Sequence, residues 1–494
     1  MLLPPTLHAL SRRSNPDQQA LHHLTWVGPL WLVSLLALAG CTSFSPAPLP
    51  PTQLQVPASW HADRSDPSNP LPASTPLAGW WQRFDDPLLV HLVEQALLNN
   101  GSVKGAQAAL RQARALRDAA AAGLLPAVGS SASAQRGTQG GHSTGSSFRL
   151  GLDASWELDL FGARRSALDA SDASAQSRAA SLGDVQVSIA AEVALIYIEL
   201  RGAQARLDIA QANLTSQLET QQISGWRLQA GLVTALDTEQ ARGATAQTQA
   251  QLPALQASQT QSAHALAVLT GRPPAALLNE LGAPAPVPQA PPDLVLSLPA
   301  ETLRQRPDVR VAELAVVGAW ADLAQADAAR APSLKLGGSL GLSALTLGAL
   351  GSGAAVVSSV LASVSMPLFD GGAGLARVRA QQAVLDQARS SYQAVVLTAL
   401  KDVEDALVAL RADRERLNRL QQAADAAGNA ARLARQRYTS GLIDFRTVLE
   451  TQRTQLSLQD SVAAASATVS ADHVRLYKAL GGGWLPDEPA RTPR

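Results

Sequence analysis

Short stretches in which apolar and polar residues alternate are set between much longer runs in which apolar positions recur every three or four residues. Leu150, Leu152, Ala154, Trp156 and Leu158 alternate with Arg149, Gly151, Asp153, Ser155, Glu157 and Asp159, so a strand here has one apolar and one polar face. Leu334, Leu336, Leu340 and Leu342 alternate in the same way with Lys335, Gly337, Ser339 and Gly341, and Val360, Ala362, Val364 and Met366 continue the habit. Ala127 to Arg136 follows it most weakly of the four. In the long runs, Ile189, Val193, Ile196, Leu200, Leu207, Leu214 and Leu218 form a stripe at helical spacing. Leu385, Tyr392, Val396, Leu400, Val403, Leu407, Leu410 and Leu417 form its counterpart. Each of these runs predicts a helix of about 65 residues, roughly 100 Å long at 1.5 Å per residue.

The chain is duplicated. Asn99-Asn100 leads a helical run ending at Pro126, and Arg306-Pro307-Asp308 leads a similar run ending at Pro332, about 206 residues later. Leu160-Phe161-Gly162 is answered by Leu368-Phe369-Asp370-Gly371, the run Arg227 to Leu232 by Arg437 to Leu442, and Leu269-Thr270-Gly271 by Leu480-Gly481-Gly482. Each half therefore reads as a helix of about 40 residues, two strands around a Gly/Ser-rich break, a helix of about 65, a turn at a glycine and a helix of about 40. The segments expected are a signal-like region 1–40, a Pro/Ser-rich tether 41–79, a first repeat 80–272, a Pro-rich linker 273–300, a second repeat 301–484 and a tail 485–494.

Alternation of this kind also marks an ordinary half-buried sheet, and the long helices taken alone also fit a coiled-coil rod. Four strands cannot close a barrel within one chain, and open edges are intolerable in a bilayer. Several copies closing one barrel would turn the apolar residues Leu150, Leu152, Trp156, Leu336 and Leu340 to lipid and Arg149, Asp153, Glu157 and Lys335 to the lumen. After Cys41 no run of 18 consecutive apolar residues occurs, so a membrane-crossing helix is not expected there.

Composition narrows the function. Lys plus Arg and Asp plus Glu are both 40, so the formal net charge is zero and no electrostatic footprint for nucleic acid is present. Aromatic residues make up 4% and charged residues 16% of the chain, a lean kit that suits Ala-rich helices better than a compact enzyme core. The eight histidines are scattered, and neither a His-Glu-x-x-His motif nor a phosphate loop occurs. Gly337-Gly338-Ser339-Leu340-Gly341 spells a nucleophile elbow, but more alternating sequence follows it where a hydrolase needs a helix. No catalytic residue, metal or bound cofactor is expected. The single cysteine, Cys41, excludes an internal disulfide. It follows Arg12-Arg13, an apolar core of about 17 residues containing Gly28-Pro29, and Leu38-Ala39-Gly40. This ending resembles the lipobox of bacterial lipoproteins. The resemblance implies that Cys41 carries diacylglyceryl and N-acyl groups, and Thr42 in place of Asp implies delivery to the outer membrane.

Trp80-Trp81, Phe84 and Asp86-Pro87 open the first half; Arg306-Pro307-Asp308-Val309, Ala312-Glu313 and Pro332 open the second. From about Trp80 to Trp484 the chain resembles the outer-membrane efflux proteins, in particular the lipoprotein channel factors of tripartite export pumps. That resemblance implies an α+β membrane fold: a homotrimer whose chains give four strands each to a 12-stranded outer-membrane β-barrel, continued by a long periplasmic α-helical barrel. It also implies a periplasmic adaptor (membrane fusion protein) and an inner-membrane transporter, of the resistance-nodulation-division (RND) class, as partners. The closed state of such channels pinches at the periplasmic helix tips, which fall here at Gly441 to Glu450 and Gly231 to Asp237. Asp237, Asp444, Arg446 and Glu450 are the gate candidates. Relatives often carry an apolar residue where Arg446 falls and Asp where Glu450 falls. A lipid-anchored periplasmic helical adaptor or structural coiled coil is the competing reading.

Overall fold

The computed structural model describes residues 77–137, 145–291 and 305–484, with residues 57, 59–61 and 302–303. The signal-like region, Cys41, most of the tether, the end of the linker beyond 291 and the tail lie outside the described residues.

A short 3-10 helix, Leu77–Phe84, leads into α1 (Pro87–Asn99), α2 (Gly101–Ala122), β1 (Ala127–Gly137), β2 (Gly145–Leu158), α3 (Ala163–Gln229) and α4 (Ala235–Leu269). The second half repeats this order from its hairpin helix onward as α5 (Pro307–Ala328), β3 (Ser333–Ala344), β4 (Val356–Ser365), α6 (Ala373–Thr439) and α7 (Phe445–Ala479). Equivalent helices match in length: α2 and α5 have 22 residues, α3 and α6 have 67, and α4 and α7 have 35.

The first helix of each half is shorter than its periodicity predicts. Before β1, the apolar pattern runs through a break at Asn100, whose backbone is extended. Its Oδ1 accepts from Ser102 N at 2.8 Å to cap α2, and its Nδ2 donates to Leu269 O at 2.9 Å. Asp86 caps α1 in the same manner, accepting from the backbone N–H groups of Leu88 and Leu89, with Pro87 at the first helical position. Its second oxygen accepts from the Tyr197 hydroxyl of α3 at 2.8 Å, so the Asp-Pro pair both starts a helix and ties it to its neighbour. Burial, with that hydrogen bond, pushes the Tyr197 hydroxyl up to about 12, which keeps it a donor.

The largest apolar core surrounds the middle of α3. Trp80, Trp81 and Phe84 pack there with Leu89, Leu92 and Val93 of α1, Val193 to Leu200 of α3, Leu266 of α4 and Tyr477 of α7. Trp80 stacks on Tyr477 with ring centroids 5.2 Å apart. Contrary to expectation, α3 does carry an 18-residue stretch of mean hydropathy 1.4, long and apolar enough to cross a membrane by composition. Its apolar residues Val193, Ile198 and Leu200 are spent in this core instead. The linker is laid along α3 and α7: Arg201 donates to Ala283 O and Gln204 to Leu281 O, both at 2.8 Å, and Ser470 donates to Pro288 O.

The return helices end alike. Asn100 bonds the terminal carbonyl of α4, and Arg306 donates to Ala479 O, the terminal carbonyl of α7, at 2.8 Å. The guanidinium also meets Asp308 at 2.7 Å and Asp402 of α6 at 3.2 Å. Gly481, with φ at +75°, follows so closely that a Cβ there would lie 3.0 Å from the Arg306 Cα.

Between α6 and α7, Arg414 donates to His473 Nε2 at 2.6 Å, so the buried imidazole donates from Nδ1 to Val469 O and is neutral. Burial holds His473 below the ordinary histidine range, and the Arg414 and Arg83 charges add to this. A folded pKa below the unfolded one means that the unfolded chain takes up the proton first. This stability is present above about pH 6.5 and is lost as pH falls. Nearby Asp472 is displaced upward by burial, with Arg475 opposing and Asp413 adding to the rise; it has the opposite sign, losing stability as pH climbs past the ordinary carboxylate range. The thermal midpoint is therefore expected to drop between pH 7.5 and 5.5, and His473→Gln to flatten that drop in a melting series. An unchanged slope in the variant counts against the assignment.

Candidate channel wall and helical tips

The four strands form one antiparallel sheet in the order β1-β2-β3-β4. Among the described residues, β1 and β4 pair on one side only, so both outer edges of the sheet are open. Register decides which residues share a face. Leu150 pairs with Leu342, Leu152 with Leu340, Trp156 with Leu336 and Leu158 with Leu334. Beyond them on the same face, Val364 pairs with Leu334, Ala362 with Leu336 and Val360 with Gly338. All five residues expected on the apolar face are thus on one face. Leu152 and Leu340 are more than half exposed, so among the described residues nothing covers this face.

The opposite face carries Arg149, Asp153, Glu157 and Lys335, as their spacing requires. Glu157 pairs with Lys335 across the strands at 3.7 Å, and Arg164 at the start of α3 donates to it at 2.8 Å. Ser131 donates to Asp153 at 2.7 Å, while Ser339 and Ser359, and Ser333 and Ser365, share hydroxyl bonds of 2.8 Å. Gly129, Gly151, Gly337 and Gly341 complete a wall of hydroxyls and small residues, interrupted by Val357 and Leu361 of β4. Ser339 lies within β3 and is bonded to a neighbouring strand, which is not nucleophile-elbow geometry. Asp159, which continued the polar alternation, has left the sheet: its carboxylate accepts from the backbone N–H groups of Arg164 and Arg165 and caps α3. At this end of the sheet, Trp156 donates from Nε1 to Leu124 O at 3.0 Å.

At the other end of the long helices lie the α3–α4 and α6–α7 turns. Gly231 and Gly441 stand at φ of +68° and +72°, the left-handed conformation that ends a helix cheaply only at glycine. Leu232 N then donates to Arg227 O at 2.8 Å and Leu442 N to Arg437 O at 2.9 Å, closing the same motif twice. The four gate candidates separate into two kinds. Asp237 belongs to a capping box: its backbone N–H donates to Thr234 Oγ1, and its carboxylate accepts from Thr234 N at 2.9 Å. Asp444 caps α7, and its bonds from the Thr447 hydroxyl and backbone hold its carboxyl below the ordinary range. Arg446 and Glu450 are exposed, and neither forms an ion pair among the described residues. Cys41 lies outside the described residues.

One set of tip contacts escaped the sequence reading. Tyr438 of α6 packs with Phe445, Val448 and Leu449 of α7 and with Ala241 and Ala244 of α4. Arg227 of α3 lies over the Tyr438 ring at 4.3 Å, and Arg435 of α6 pairs with Glu219 of α3 at 2.7 Å. The two hairpins are thus joined near their tips by residues of which the sequence offered only Arg227 and Tyr438, as landmarks of the repeat, and those of α7, as part of a tip segment.

The family model described as "Outer membrane efflux protein" matches residues 92–272 and 298–482. The chain is 32% identical over 470 residues to "Pyoverdine export outer membrane protein OpmQ" of Pseudomonas putida, covering 92% of this chain and 97% of that protein. It is 31% identical over 444 residues to "Nodulation protein T" of Rhizobium leguminosarum bv. viciae, covering 87% and 92%. The solved structure of the outer-membrane channel OprN superposes with a TM-score of 0.83 at 38% identity, covering 88% of this chain and 99% of that one. A sheet with one apolar face and two open edges, joined to duplicated helical hairpins, is what a chain supplying part of a shared barrel requires, and this chain belongs to the outer membrane efflux protein family, whose trimeric channels take four strands from each subunit.

Proposed function

We propose that three copies of this chain form the outer-membrane channel of a tripartite efflux pump, conducting small solutes passively from the periplasmic assembly to the exterior. The observation that carries this reading is the sheet, exposed and apolar on one face, Ser/Gly-lined and charge-balanced on the other, and unpaired at both edges. A helical adaptor or rod has no use for such a surface. A water-filled lumen spares solutes the desolvation cost of crossing hydrocarbon, and direction comes from the energised pump that loads it. The partners are a periplasmic adaptor and an inner-membrane transporter of the RND class. Cys41, acylated as the first mature residue, anchors each chain to the outer membrane, from which the helices extend into the periplasm. Chemistry on the solute is no part of this role.

At the tips, Asp237 and Asp444 hold helix ends in shape, while the exposed Arg446 and Glu450 form charged rings about the threefold axis and keep the entrance closed. Relatives are named for different cargoes, pyoverdine for one and toluene for another, so the channel itself is a general conduit. Purified trimers in planar bilayers are expected to give small unitary currents, and the double variant Arg446→Ala with Glu450→Ala to raise mean conductance several-fold. A preparation that stays trimeric yet never conducts, even with both tip charges removed, contradicts the channel reading.

A further inference from the structure

Short of their tips, helices α3, α6 and α7 leave between them a cavity of about 540 Å³. Ser216 lines it from α3, Arg432, Arg435 and Thr439 from α6, and Gln452 and Gln455 from α7. No carboxylate is among its described lining residues. The volume is that of a small-molecule site, but the wall is polar where such sites are mostly apolar.

Two of these side chains are incompletely partnered, in complementary ways. The Arg432 guanidinium donates to Asn429 Oδ1 on its own helix at 3.0 Å, and it forms no ion pair among the described residues. Arg435, by contrast, is matched by Glu219 of α3 at 2.7 Å. One positive charge therefore stands on the wall without a counter-charge. Gln452 is only 8% exposed. Its Nε2 donates to Thr220 Oγ1 at 3.2 Å, and that hydroxyl is already spent on Ser216 O at 2.8 Å, so the amide cannot be turned the other way round. The Gln452 Oε1 is left buried and accepts from no described group. A buried acceptor without a donor is a standing cost, which an incoming hydroxyl or ammonium would relieve.

A guanidinium without a counter-charge calls for an anion, and a carboxylate suits its fork of donors. The orphan carbonyl oxygen calls for a donor on the same molecule. Arg432 lies about 90 Å along α6 from its start at Ala373, at 1.5 Å per residue, so lipid headgroups beside the sheet are out of reach and the source is a dissolved solute. We propose that this cavity binds a small carboxylate anion bearing a hydroxyl or ammonium group, and that the bound anion bridges the two helical hairpins. Arg432 takes the carboxylate, Gln452 Oε1 accepts from the hydroxyl or ammonium, and Ser216 supplies the contact from the first hairpin. Binding here does not depend on conduction through the barrel, so the site stands apart from the channel reading.

Titration calorimetry on the purified full-length trimer in detergent, with EDTA present to keep metal ions out, tests the site. Citrate is the probe, and tricarballylate, the same triacid without the hydroxyl, is its control. Citrate is expected to bind saturably and about fivefold more tightly than tricarballylate. Arg432→Ala, a change at an exposed position, is expected to weaken both acids at least tenfold. Gln452→Leu is expected to erase the difference between them, and Ser216→Ala to weaken citrate severalfold. Each variant is first required to keep the parent's trimer and thermal midpoint without ligand; if Gln452→Leu does not, the citrate-to-tricarballylate ratio in the parent carries that part of the test. No saturable binding of citrate, or binding indifferent to Arg432→Ala, overturns the site. Equal affinity for the two acids in the parent overturns the role of Gln452, and citrate binding untouched by Ser216→Ala overturns the bridge.

Discussion

Leu152→Arg removes the protein from the outer membrane as a heat-resistant trimer, while Ser155→Arg, three positions along the same strand, leaves the trimer in place. The two positions lie in β2 on opposite faces. Leu152 pairs with Leu340 on the apolar face, whereas Ser155 pairs with Gly337 on the face lined by hydroxyls and charges. An arginine held at mid-bilayer on the lipid side of a barrel costs about 2–4 kcal/mol, and three symmetry-related copies bring this to roughly 6–12 kcal/mol per channel. That is comparable to the whole stability of an ordinary domain. On the other face the new guanidinium meets water and the carboxylates of Asp153 and Glu157. Heat-modifiability of outer-membrane fractions on gels is the measurement. If the two variants behave alike, the faces are assigned wrongly.

The second large effect is expected at Arg306. Its guanidinium spans Asp308, Asp402 and the last carbonyl of α7, thereby joining the head of α5 to α6 and α7. Burial pulls its pKa down, but the hydrogen bond and charge of Asp308, with those of Asp402, outweigh it and leave the group raised; the cation is therefore fully present at any ordinary pH. Truncation to alanine leaves a terminal carbonyl and two carboxylates without their partner. Breaking a buried pair costs about 3–5 kcal/mol, and since Asp308 and Asp402 keep roughly a third or more of their side chains in water, about 2–3 kcal/mol is expected per chain. Arg306→Lys restores a charge but not the two-pronged geometry, and falls between. The equivalent truncation in the first half, Asn100→Ala, removes neutral bonds only and costs about 1–2 kcal/mol. Thermal unfolding of purified protein orders the three variants, and an Asn100→Ala more damaging than Arg306→Ala contradicts this account.

The sheet was legible because each face of β2 and β3 is chemically consistent along its length, so an alternation of two in the sequence maps directly onto the register. The strand that read most weakly, β1, consists of Ser, Ala and Gly apart from Val128, Gln135 and Arg136, yet it pairs along its full length with β2. Neighbouring backbone, not its own side chains, makes it a strand. The repeat was legible through its punctuation, the glycines that end helices. Asn100 shows the opposite case. An Asn followed by Gly marks a helix start, but the apolar spacing continues across it, and the tertiary bond to Leu269 decides the break. Asp237 and Asp444 looked like gate charges because they sit in the tips. The Thr three residues before Asp237 and the Thr three residues after Asp444 were the local signs that these carboxylates serve as caps. What no local pattern could reveal is pairing at long range: Arg306 with Asp402, Arg227 with Tyr438, Trp60 with Val403 and Leu476.

The open edges of the four-stranded sheet bear on how the protein reaches its destination. A lone subunit owns a third of a cylinder, and in hydrocarbon its unpaired backbone groups would each cost several kcal/mol. Entering the bilayer and finding two siblings must therefore be one event, with a rate that climbs steeply with the number of subunits waiting at the surface. Scarce synthesis would strand uninserted monomers at the membrane surface long before it produced fewer, fully formed pores.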